Sequence, residues 1–335
     1  MTRVSVLTTL LTVAASLTAS ALFASAAPLQ DVSVALDWTP NVNHIGMYVA
    51  QQQGWYAQAG VRLQILPYAS TSPEVLVTAG RADVGVSSEE GVATAAASAD
   101  PVVSIAAILG RNTASFGVLA KSGIRRPKDL DGKIYAAFGS PYETPIIQRL
   151  IRSDGGKGEF KSPVLTAGGL PALLSGRADF MWIFEGTEGV EARRQGNPLR
   201  TFALTAYGVP DSYTPVLVAD PKRLAANTPR LKAFLKATAR GYEFARAHPT
   251  EAAELMLRAL PKGTFPDSGV LEGGAVWLSR HQAYARPGQP WGVQSLKMWT
   301  EYPAFLLKAG AIRGADGKAV VSLNYRNLFV NDLLR

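Results

Sequence analysis

Residues 36–60 read LDWTPNVNHIGMYVAQQQGWYAQAG, and this pattern predicts a β-strand that ends in a polar loop and leads into a helix. Apolar residues alternate with small or polar ones over residues 32–36, as in a strand, and Pro40 cannot continue a central strand. Asn41 and Asn43 can each cap a helix, so the helix is predicted to start after one of them. In open α/β sheets, ligands bind at such strand–helix junctions. The stretch therefore predicts an α/β fold with a ligand site at this loop.

Four side chains of this junction are candidate ligand contacts: Asp37, Trp38, Asn41 and His44. Trp38 stands among polar residues, which favours a stacking surface for a flat ring, although filling the core is the alternative. His44 can act as a base, but a single histidine at a helix start more often makes one structural hydrogen bond.

The first residues of the chain predict an export signal. Arg3 precedes an apolar run over residues 4–23, and residues 24–26 read ASA, a small-x-small cleavage site. We expect a signal peptide over residues 1–26, cleaved after Ala26, and a periplasmic mature protein. The chain has no cysteine, which excludes a lipid-anchored cysteine, disulfides and thiolate metal sites.

Composition and motifs argue against several classes of function. The formal charge is +8, but the Lys and Arg residues are spread along the chain without a basic run interleaved with aromatics, so no nucleic-acid partner is expected. The three histidines form no HExxH or similar metal motif, and no serine lies in a G-x-S-x-G sequence. The sequence thus predicts a protein that is not an enzyme and uses no metal or cofactor.

One short phrase occurs twice. Residues 80–83 and residues 176–179 both read GRAD, each after a helix-like apolar pattern and before an apolar strand. The matched contexts predict that each copy ends a helix at its glycine and starts a strand after its aspartate. Two similar α/β lobes are the economical interpretation.

Two apolar segments are predicted to cross between the lobes as hinge strands: FGVLA at residues 116–120 and PVLVA at residues 215–219. The first lobe then holds residues 27–116 and 217–335, and the second lobe holds residues 121–214. A ligand is expected in the cleft between them.

Further candidate contacts fall in predicted loops or at strand ends. Aromatic rings can stack on a flat ligand, and a carboxylate can accept a hydrogen bond from an amino group beside a ring nitrogen, as in an aminopyrimidine. The loop over residues 139–143 offers backbone N–H groups for an anion or a polar ring edge. As alternatives, the serines can cap helices and the acids can be solvated helix starts. These candidates are Ser87, Glu90, Ser140, Tyr142, Phe184, Glu185, Glu188 and Tyr213.

Several stretches resemble the NMT1/THI5-like family of periplasmic solute-binding proteins: residues 36–60, both GRAD segments, GIRRPKDLDGKIYAAFGSP at 123–141, FLKATARGYEFARAHPTEAAELML at 234–257 and WGVQSLKMWTEYPAFLLKAGAI at 291–312. The resemblance implies a two-lobed type II fold and closure on a small heterocyclic ligand, of which a thiamine pyrimidine precursor such as formylaminopyrimidine is the most similar case. It also implies docking to an ABC permease in the inner membrane, and a monomer.

The family also includes a pyrimidine synthase that uses pyridoxal phosphate and consumes its own histidine. This chain differs from it, because Gly91 stands where the reactive histidine is expected. The resemblance implies Trp38 as a stacking face, Asp37 and Glu185 as ring-edge partners, and Tyr213 as a matching tyrosine before the second hinge. Riboflavin, a sulfonate or nitrate, and a synthase-like enzyme stay as alternatives, as does a ligand sensor.

Overall fold

The structure is a computed structural model that describes residues 28–98, 101–163 and 169–335. The predicted signal peptide, residues 1–26, lies outside the described residues. Within the described ranges, no helix is both long enough and apolar enough to cross a membrane.

The described part of the chain forms two sheets flanked by helices. The strands are β1 (Gln30–Ala35), β2 (Val61–Leu66), β3 (Val84–Ser87), β4 (Val103–Ala107), β5 (Ala114–Leu119), β6 (Tyr135–Ala136), β7 (Phe180–Phe184), β8 (Leu199–Ala203) and β9 (Val216–Ala219). The helices are α1 (Ile45–Gln52), α2 (Trp55–Gln58), α3 (Pro73–Thr78), α4 (Glu89–Ala96), α5 (Glu143–Ser153), α6 (Gly169–Leu174), α7 (Glu188–Arg194), α8 (Leu224–Ala247), α9 (Pro249–Ala259), α10 (Ser268–Arg280) and α11 (Leu296–Lys308).

The two sheets have related topologies. The first has the order β2-β1-β3-β9-β4, with β1 parallel to β2 and β3, and with β9 antiparallel to both of its neighbours. The second has the order β6-β7-β5-β8, with β6 and β7 parallel and β5 antiparallel to both of its neighbours. Each sheet thus combines parallel strands with one antiparallel strand that the chain enters from the other sheet, β9 in the first and β5 in the second. This shared plan agrees with the prediction of two similar lobes.

The repeated GRAD phrase builds the same turn in both lobes. Residues 80–83 follow α3 and precede β3, and residues 176–179 follow α6 and precede β7. The glycine of each copy has a φ of 73°, a left-handed conformation that ends the helix. In each copy two successive backbone N–H groups donate to one helix carbonyl, that of Leu76 or Ala172. The prediction that each copy ends a helix and starts a strand is confirmed.

The aspartate of each copy ties its turn to the neighbouring strand. The Asp83 carboxylate accepts a hydrogen bond from the backbone N–H of Ser33 at 2.9 Å, and the Asp179 carboxylate accepts one from the N–H of Ile134 at 2.8 Å. A one-residue shift of either strand would break this bond, so the aspartate helps to fix the register of the parallel pair.

The chain crosses between the sheets just before the segments predicted as hinges. Residues 116–120 lie mostly within β5, and residues 215–219 are almost entirely β9, so the crossings fall over residues 108–113 and 204–215. The two crossings run side by side, and the N–H of Ile108 donates to the carbonyl of Pro215 at 3.0 Å. An apolar run indicates the buried body of a strand, whereas the crossings include polar residues that the apolar pattern did not indicate. The exact lobe boundaries stay a prediction.

Helix α11 also contacts both lobes. Trp299 lies in a buried cluster with residues of the first sheet, whereas Tyr302 and Leu306 pack into the core of the second lobe beside Phe116. The sequence prediction had assigned all of residues 217–335 to the first lobe. The second half of α11 therefore packs with the lobe opposite to the one predicted for it.

A close helix contact positions the loop that follows β1. A Cβ atom on Gly241 would lie 1.9 Å from the carbonyl oxygen of Gly46, so α8 and α1 approach each other at a point where only glycine fits. Next to this contact, the Tyr242 hydroxyl donates to the carbonyl of Asn43 at 2.7 Å. Helix α8 thus fixes both the start of α1 and the loop before it.

Candidate functional site

A cleft of about 1520 Å³ lies between the two sheets. One wall comes from the first lobe, through the loop at residues 37–43 and the ends of α3 and α4. The opposite wall comes from residues 136–142 and from the segment that joins β7 to α7. The predicted strand–helix junction after β1 thus lines the cleft.

The charged side chains that line the described cleft are all acidic. Among the described residues that line it there is no Lys, Arg or His, although the chain as a whole carries a formal charge of +8. Acidic residues come from both lobes. They are Asp37, Glu74, Glu90, Glu188, Glu191 and Asp267. The cleft therefore favours a ligand that donates hydrogen bonds or carries positive charge.

Aromatic side chains stand on both walls. Trp38 is 58% exposed and lies 5.4 Å from the ring of Tyr68, and Phe138 is 50% exposed and lies 6.0 Å from the ring of Trp182. Tyr142 completes the second-lobe cluster, 6.2 Å from Trp182. Large apolar rings left open to solvent inside a cleft offer faces for a flat ligand.

Glu90 places a buried carboxylate in the cleft wall. It is 3% exposed, and the Tyr302 hydroxyl donates a hydrogen bond to its Oε1 atom. Its Oε2 atom has no hydrogen-bond partner among the residues that the structure describes. Burial raises the pKa of Glu90, and the hydrogen bond from Tyr302 opposes part of that rise. A buried oxygen without a partner is an energetic cost that an N–H donor on a ligand would remove.

The neighbouring Glu89 faces a crossing segment rather than the cleft. Its Oε2 atom accepts from the N–H of Tyr213 at 2.8 Å, and its own N–H donates to the Tyr213 carbonyl at 3.1 Å. Burial raises the pKa of Glu89 well above its usual range, and the charges of Glu90 and Asp211 add to the rise. Helix α4 therefore begins with one acid that lines the cleft and another that holds the crossing.

The two serines at the end of β3 have separate roles. The Ser87 hydroxyl donates to Glu74, and the Ser88 hydroxyl accepts from the N–H of Gly91 at 3.1 Å and caps α4. A Cβ atom on Gly91 would lie 2.6 Å from both Glu74 Oε1 and Ser87 Oγ. A larger residue at position 91 therefore requires these two side chains to move.

Two backbone N–H groups of the loop at residues 138–140 are already engaged within the protein. The backbone N–H groups of Phe138 and Ser140 donate to the Glu143 carboxylate at 3.0 and 2.5 Å. An acid of the chain itself therefore occupies the Ser140 donor of the loop predicted to hold an anion or a polar ring edge, and ligand binding by the rest of residues 139–143 stays a prediction.

Nine of the twelve predicted contact residues line the cleft, and their contact with a ligand stays a prediction. They are Asp37, Trp38, Asn41, Ser87, Glu90, Ser140, Tyr142, Phe184 and Glu188. The last of these is partly engaged already, because its Oε2 atom accepts from the N–H of Phe184 at 2.9 Å.

The other three predicted residues do not line the cleft. His44 is fully buried behind Asp37, with its Nε2 atom 2.9 Å from Asp37 Oδ1. Glu185 accepts from the Ser115 hydroxyl at 2.8 Å. Tyr213 is fully buried in the second crossing. The structure thus corrects their placement, because each side chain is directed to a partner inside the protein.

Glu74, Phe138 and Trp182 are among the residues of the cleft wall that sequence reasoning missed. For Trp182, the alternation of side chains along the strand is a signal in the sequence that indicates the cleft face. Side chains two apart in a strand share a face, so Trp182 lies on the same side of β7 as the predicted Phe184, whereas Glu185 follows with the opposite direction. For Glu74 the sequence gives no such signal, because an acidic residue in the first turn of a helix is usually solvated.

The described residues contain no group of three or more His, Cys, Asp or Glu side chains arranged to hold a metal ion.

Two sheets, paired crossings and an interlobe cleft define a two-lobed periplasmic-binding-protein fold of type II, as predicted. The chain belongs to the NMT1/THI5 like family, whose model matches residues 41–252. This confirms the resemblance found in the sequence.

Two relatives and one solved structure illustrate the range of this similarity. The chain is 28% identical over 283 residues to the formylaminopyrimidine-binding protein of Halalkalibacterium halodurans, with 83% of this chain and 85% of that protein covered. It is 28% identical over 236 residues to 4-amino-5-hydroxymethyl-2-methylpyrimidine phosphate synthase of Legionella pneumophila, with 69% and 74% covered. The periplasmic aliphatic sulphonate binding protein SsuA from Escherichia coli matches with a TM-score of 0.65 at 16% identity, over 90% of this chain and 92% of that one. The last similarity shows the fold alone.

Proposed function

We propose that this protein is the periplasmic binding component of an ABC importer for an aminopyrimidine precursor of thiamine, of the formylaminopyrimidine or hydroxymethylpyrimidine type. The observation that carries the proposal is the acidic cleft, in which the unpartnered Oε2 atom of Glu90 stands between aromatic walls from two lobes. The similarity to a formylaminopyrimidine-binding protein supports the same ligand class.

In the proposed complex the pyrimidine ring stacks on Trp38 from the first lobe. On the opposite wall it contacts the aromatic cluster of Phe138, Tyr142 and Trp182 from the second lobe. Its exocyclic amino group donates to Glu90 Oε2, and Asp37 accepts a second hydrogen bond. Charge-assisted hydrogen bonds of this kind are about twice as strong as neutral ones. Only N–H or O–H donors satisfy these acceptors, so the donors at the ring edge, rather than the ring face, set the specificity.

The size of the cleft indicates that closure accompanies binding. Small-molecule sites usually occupy about 300–1,000 Å³, and this cleft of about 1520 Å³ is larger than that range. A ligand that touches both walls favours a closed state, because only differential affinity for one state shifts the population. The paired crossings at residues 108–113 and 204–215 are the proposed hinge, and the closed form is the form proposed to dock to the permease.

The chemistry of the cleft disfavours the anionic alternatives. A sulfonate, nitrate or phosphate ester needs cationic side chains or free N–H groups. The described lining has no Lys, Arg or His, and Glu143 already accepts from the loop N–H groups at residues 138 and 140. Riboflavin stays as the alternative ligand that the size of the cleft allows.

We propose binding rather than catalysis for this chain, although a relative is named as a synthase. Gly91 occupies the position predicted for the reactive histidine, and Glu74 and Ser87 fill the space that a side chain there would need. Incubation of the purified protein with pyridoxal phosphate tests the alternative. Release of a pyrimidine phosphate in that incubation would contradict the proposal.

The main experiment is calorimetric titration of the purified protein with formylaminopyrimidine, 4-amino-5-hydroxymethyl-2-methylpyrimidine, its phosphate ester, riboflavin and an alkanesulfonate. We expect one molecule of an unphosphorylated pyrimidine per chain, with a dissociation constant in the micromolar range or tighter, and at least tenfold weaker binding of the phosphate ester. Saturable binding of riboflavin or the sulfonate without binding of either pyrimidine would overturn the proposal.

A further inference from the structure

We infer that His44 is a positioning residue that holds the Asp37 carboxylate in the cleft as a fixed hydrogen-bond acceptor. The inference rests on the proposed function where it concerns ligand affinity, but the arrangement of the two side chains is independent of the ligand. His44 makes no direct ligand contact in this scheme, in contrast to its predicted role as a contact residue.

The hydrogen bonds of His44 fix the position of its proton. The backbone N–H of Asn41 lies 3.2 Å from Nδ1, and a backbone N–H can only donate, so Nδ1 must accept and carries no proton. In the neutral ring the proton is then on Nε2, which lies 2.9 Å from Asp37 Oδ1. His44 therefore donates to Asp37.

The surroundings of His44 hold the ring in place. The ring is fully buried, while the Asp37 side chain stays 37% exposed at the cleft surface. The turn that carries His44 is itself fixed, since the Asn41 side chain accepts from the N–H of Asn43 at 3.0 Å and Tyr242 donates to the Asn43 carbonyl. One face of Asp37 is thus held by a rigid donor from inside the protein, and the other faces the cleft beside Trp38.

This arrangement explains why a buried histidine follows an exposed acid by seven residues at a ligand-binding loop. Without the donor, the Asp37 carboxylate can turn toward solvent or toward neighbouring backbone groups, and a ligand must reorder it on binding. A pre-organised acceptor avoids that cost. The same bond engages Oδ1, so that Oδ2 is the oxygen left to accept from a ligand.

The first test does not need a ligand. Long-range ¹H–¹⁵N NMR of the labelled protein reports the tautomer of each imidazole, and only three histidines are present in the chain: His44, His248 and His281. Assignment uses a His44→Gln variant. We expect His44 to carry a proton on Nε2 and none on Nδ1. A proton on Nδ1 would overturn the inference.

The second test is a mutant cycle on affinity for 4-amino-5-hydroxymethyl-2-methylpyrimidine. His44→Gln keeps an N–H donor near the place of Nε2, whereas His44→Leu removes it. We expect His44→Leu to weaken binding about tenfold, as for the loss of one charge-assisted hydrogen bond, and His44→Gln to stay within about threefold of wild type. In an Asp37→Asn background, His44→Leu should cost no further affinity.

The outcomes separate positioning from a merely structural role. Equal affinities for wild type and His44→Leu would overturn the inference, as would an equal loss in His44→Leu whether or not Asp37 is present. Thermal denaturation of each variant identifies loss of folding, in which case His44→Gln and the NMR result decide. If wild type binds neither pyrimidine, the proposed function fails, and the NMR test alone decides the role of His44.

Discussion

The hydroxyl group of Tyr302 donates a hydrogen bond to Oε1 of Glu90, whereas Oε2 of the same carboxylate has no partner within the described part of the chain. Tyr302 belongs to α11, which contacts both lobes, so the ligand-facing acid is oriented by a helix that packs across the lobe boundary. This bond engages Oε1, so that Oε2 is the oxygen of Glu90 left to accept from a ligand.

Glu90→Gln should therefore weaken pyrimidine binding by about 10- to 100-fold, the effect of a lost hydrogen bond to a charged group. Tyr302 would still donate to the amide oxygen of the new side chain, which turns its NH₂ group toward the amino group of the ligand. Two donors then face each other. Isothermal titration calorimetry measures the change.

Glu191→Gln is the matched control, since Glu191 also lines the cleft but accepts from the Gln195 side chain at 3.0 Å. We expect its affinity to stay within about threefold of wild type. Equal losses in both variants would mean that the general negative charge of the cleft, rather than the Glu90 oxygen, determines affinity.

Features that depend on neighbouring residues in the sequence can be predicted from it, whereas features that depend on contacts between distant segments cannot. The junction after β1 and both GRAD turns depend on local rules, such as the left-handed glycine and the strand period, and these were predicted correctly. The crossings and the path of α11 depend on packing between distant segments, which single-sequence patterns do not encode. The apolar segments predicted as hinges are therefore mostly strand, and the crossings lie just before them.

The same limit applies to the site. Local pattern placed Trp38 and Glu90 at the ends of strands, where the cleft forms. It did not show that Glu185 turns to Ser115 or that Glu143 occupies the N–H groups of the next loop. Those choices depend on which partner each side chain meets in the folded chain, and a sequence position does not contain that information.

Trp38→Ala should lower pyrimidine affinity about three- to tenfold, because one aromatic stacking contact contributes about 0.5–1.5 kcal/mol beyond burial. Its effect on stability should be small, since the ring is 58% exposed in this structure. Calorimetry and thermal denaturation check the two expectations separately. Trp38→Phe should recover most of the affinity.

Trp277→Ala supplies the control for the tryptophan signal, because Trp277 lines a separate surface depression outside the cleft. Ligand-induced quenching of tryptophan fluorescence should persist in Trp277→Ala and fall in Trp38→Ala. Unchanged quenching and unchanged affinity in Trp38→Ala would exclude this ring from the site.

Asp83→Ala and Asp179→Ala should each lower the free energy of unfolding by about 1–3 kcal/mol, because each leaves a strand N–H without its acceptor. Asp83 also accepts from the Ser33 hydroxyl and pairs with Arg230 at 2.7 Å, so its loss should be the larger. Urea denaturation measures both. Asp316→Ala, at an exposed turn, should change stability by less than about 0.5 kcal/mol. Wild-type stability in both GRAD variants would contradict the proposed role in strand register.

Glu89→Gln should stabilise the protein, and more so at pH 8 than at pH 5. Burial raises the pKa of Glu89 in the folded state above its value in the unfolded chain. Between those two pKa values the folded state binds more protons, so the contribution of Glu89 to stability is lost as the pH rises. Glutamine keeps the carbonyl oxygen that accepts from the Tyr213 N–H and removes the titration.

Urea denaturation of wild type and Glu89→Gln between pH 5 and pH 8 measures this difference, and Glu251→Gln, on an exposed helix start, is the control that should show no such pH dependence. A stability gain for Glu89→Gln that is equal at both pH values would contradict titration of Glu89 in this range. If the gain grows with pH and ligand affinity is unchanged, then the buried acid destabilises the crossing without contributing to the site. If affinity falls as stability rises, then Glu89 contributes to ligand binding as well as to the crossing.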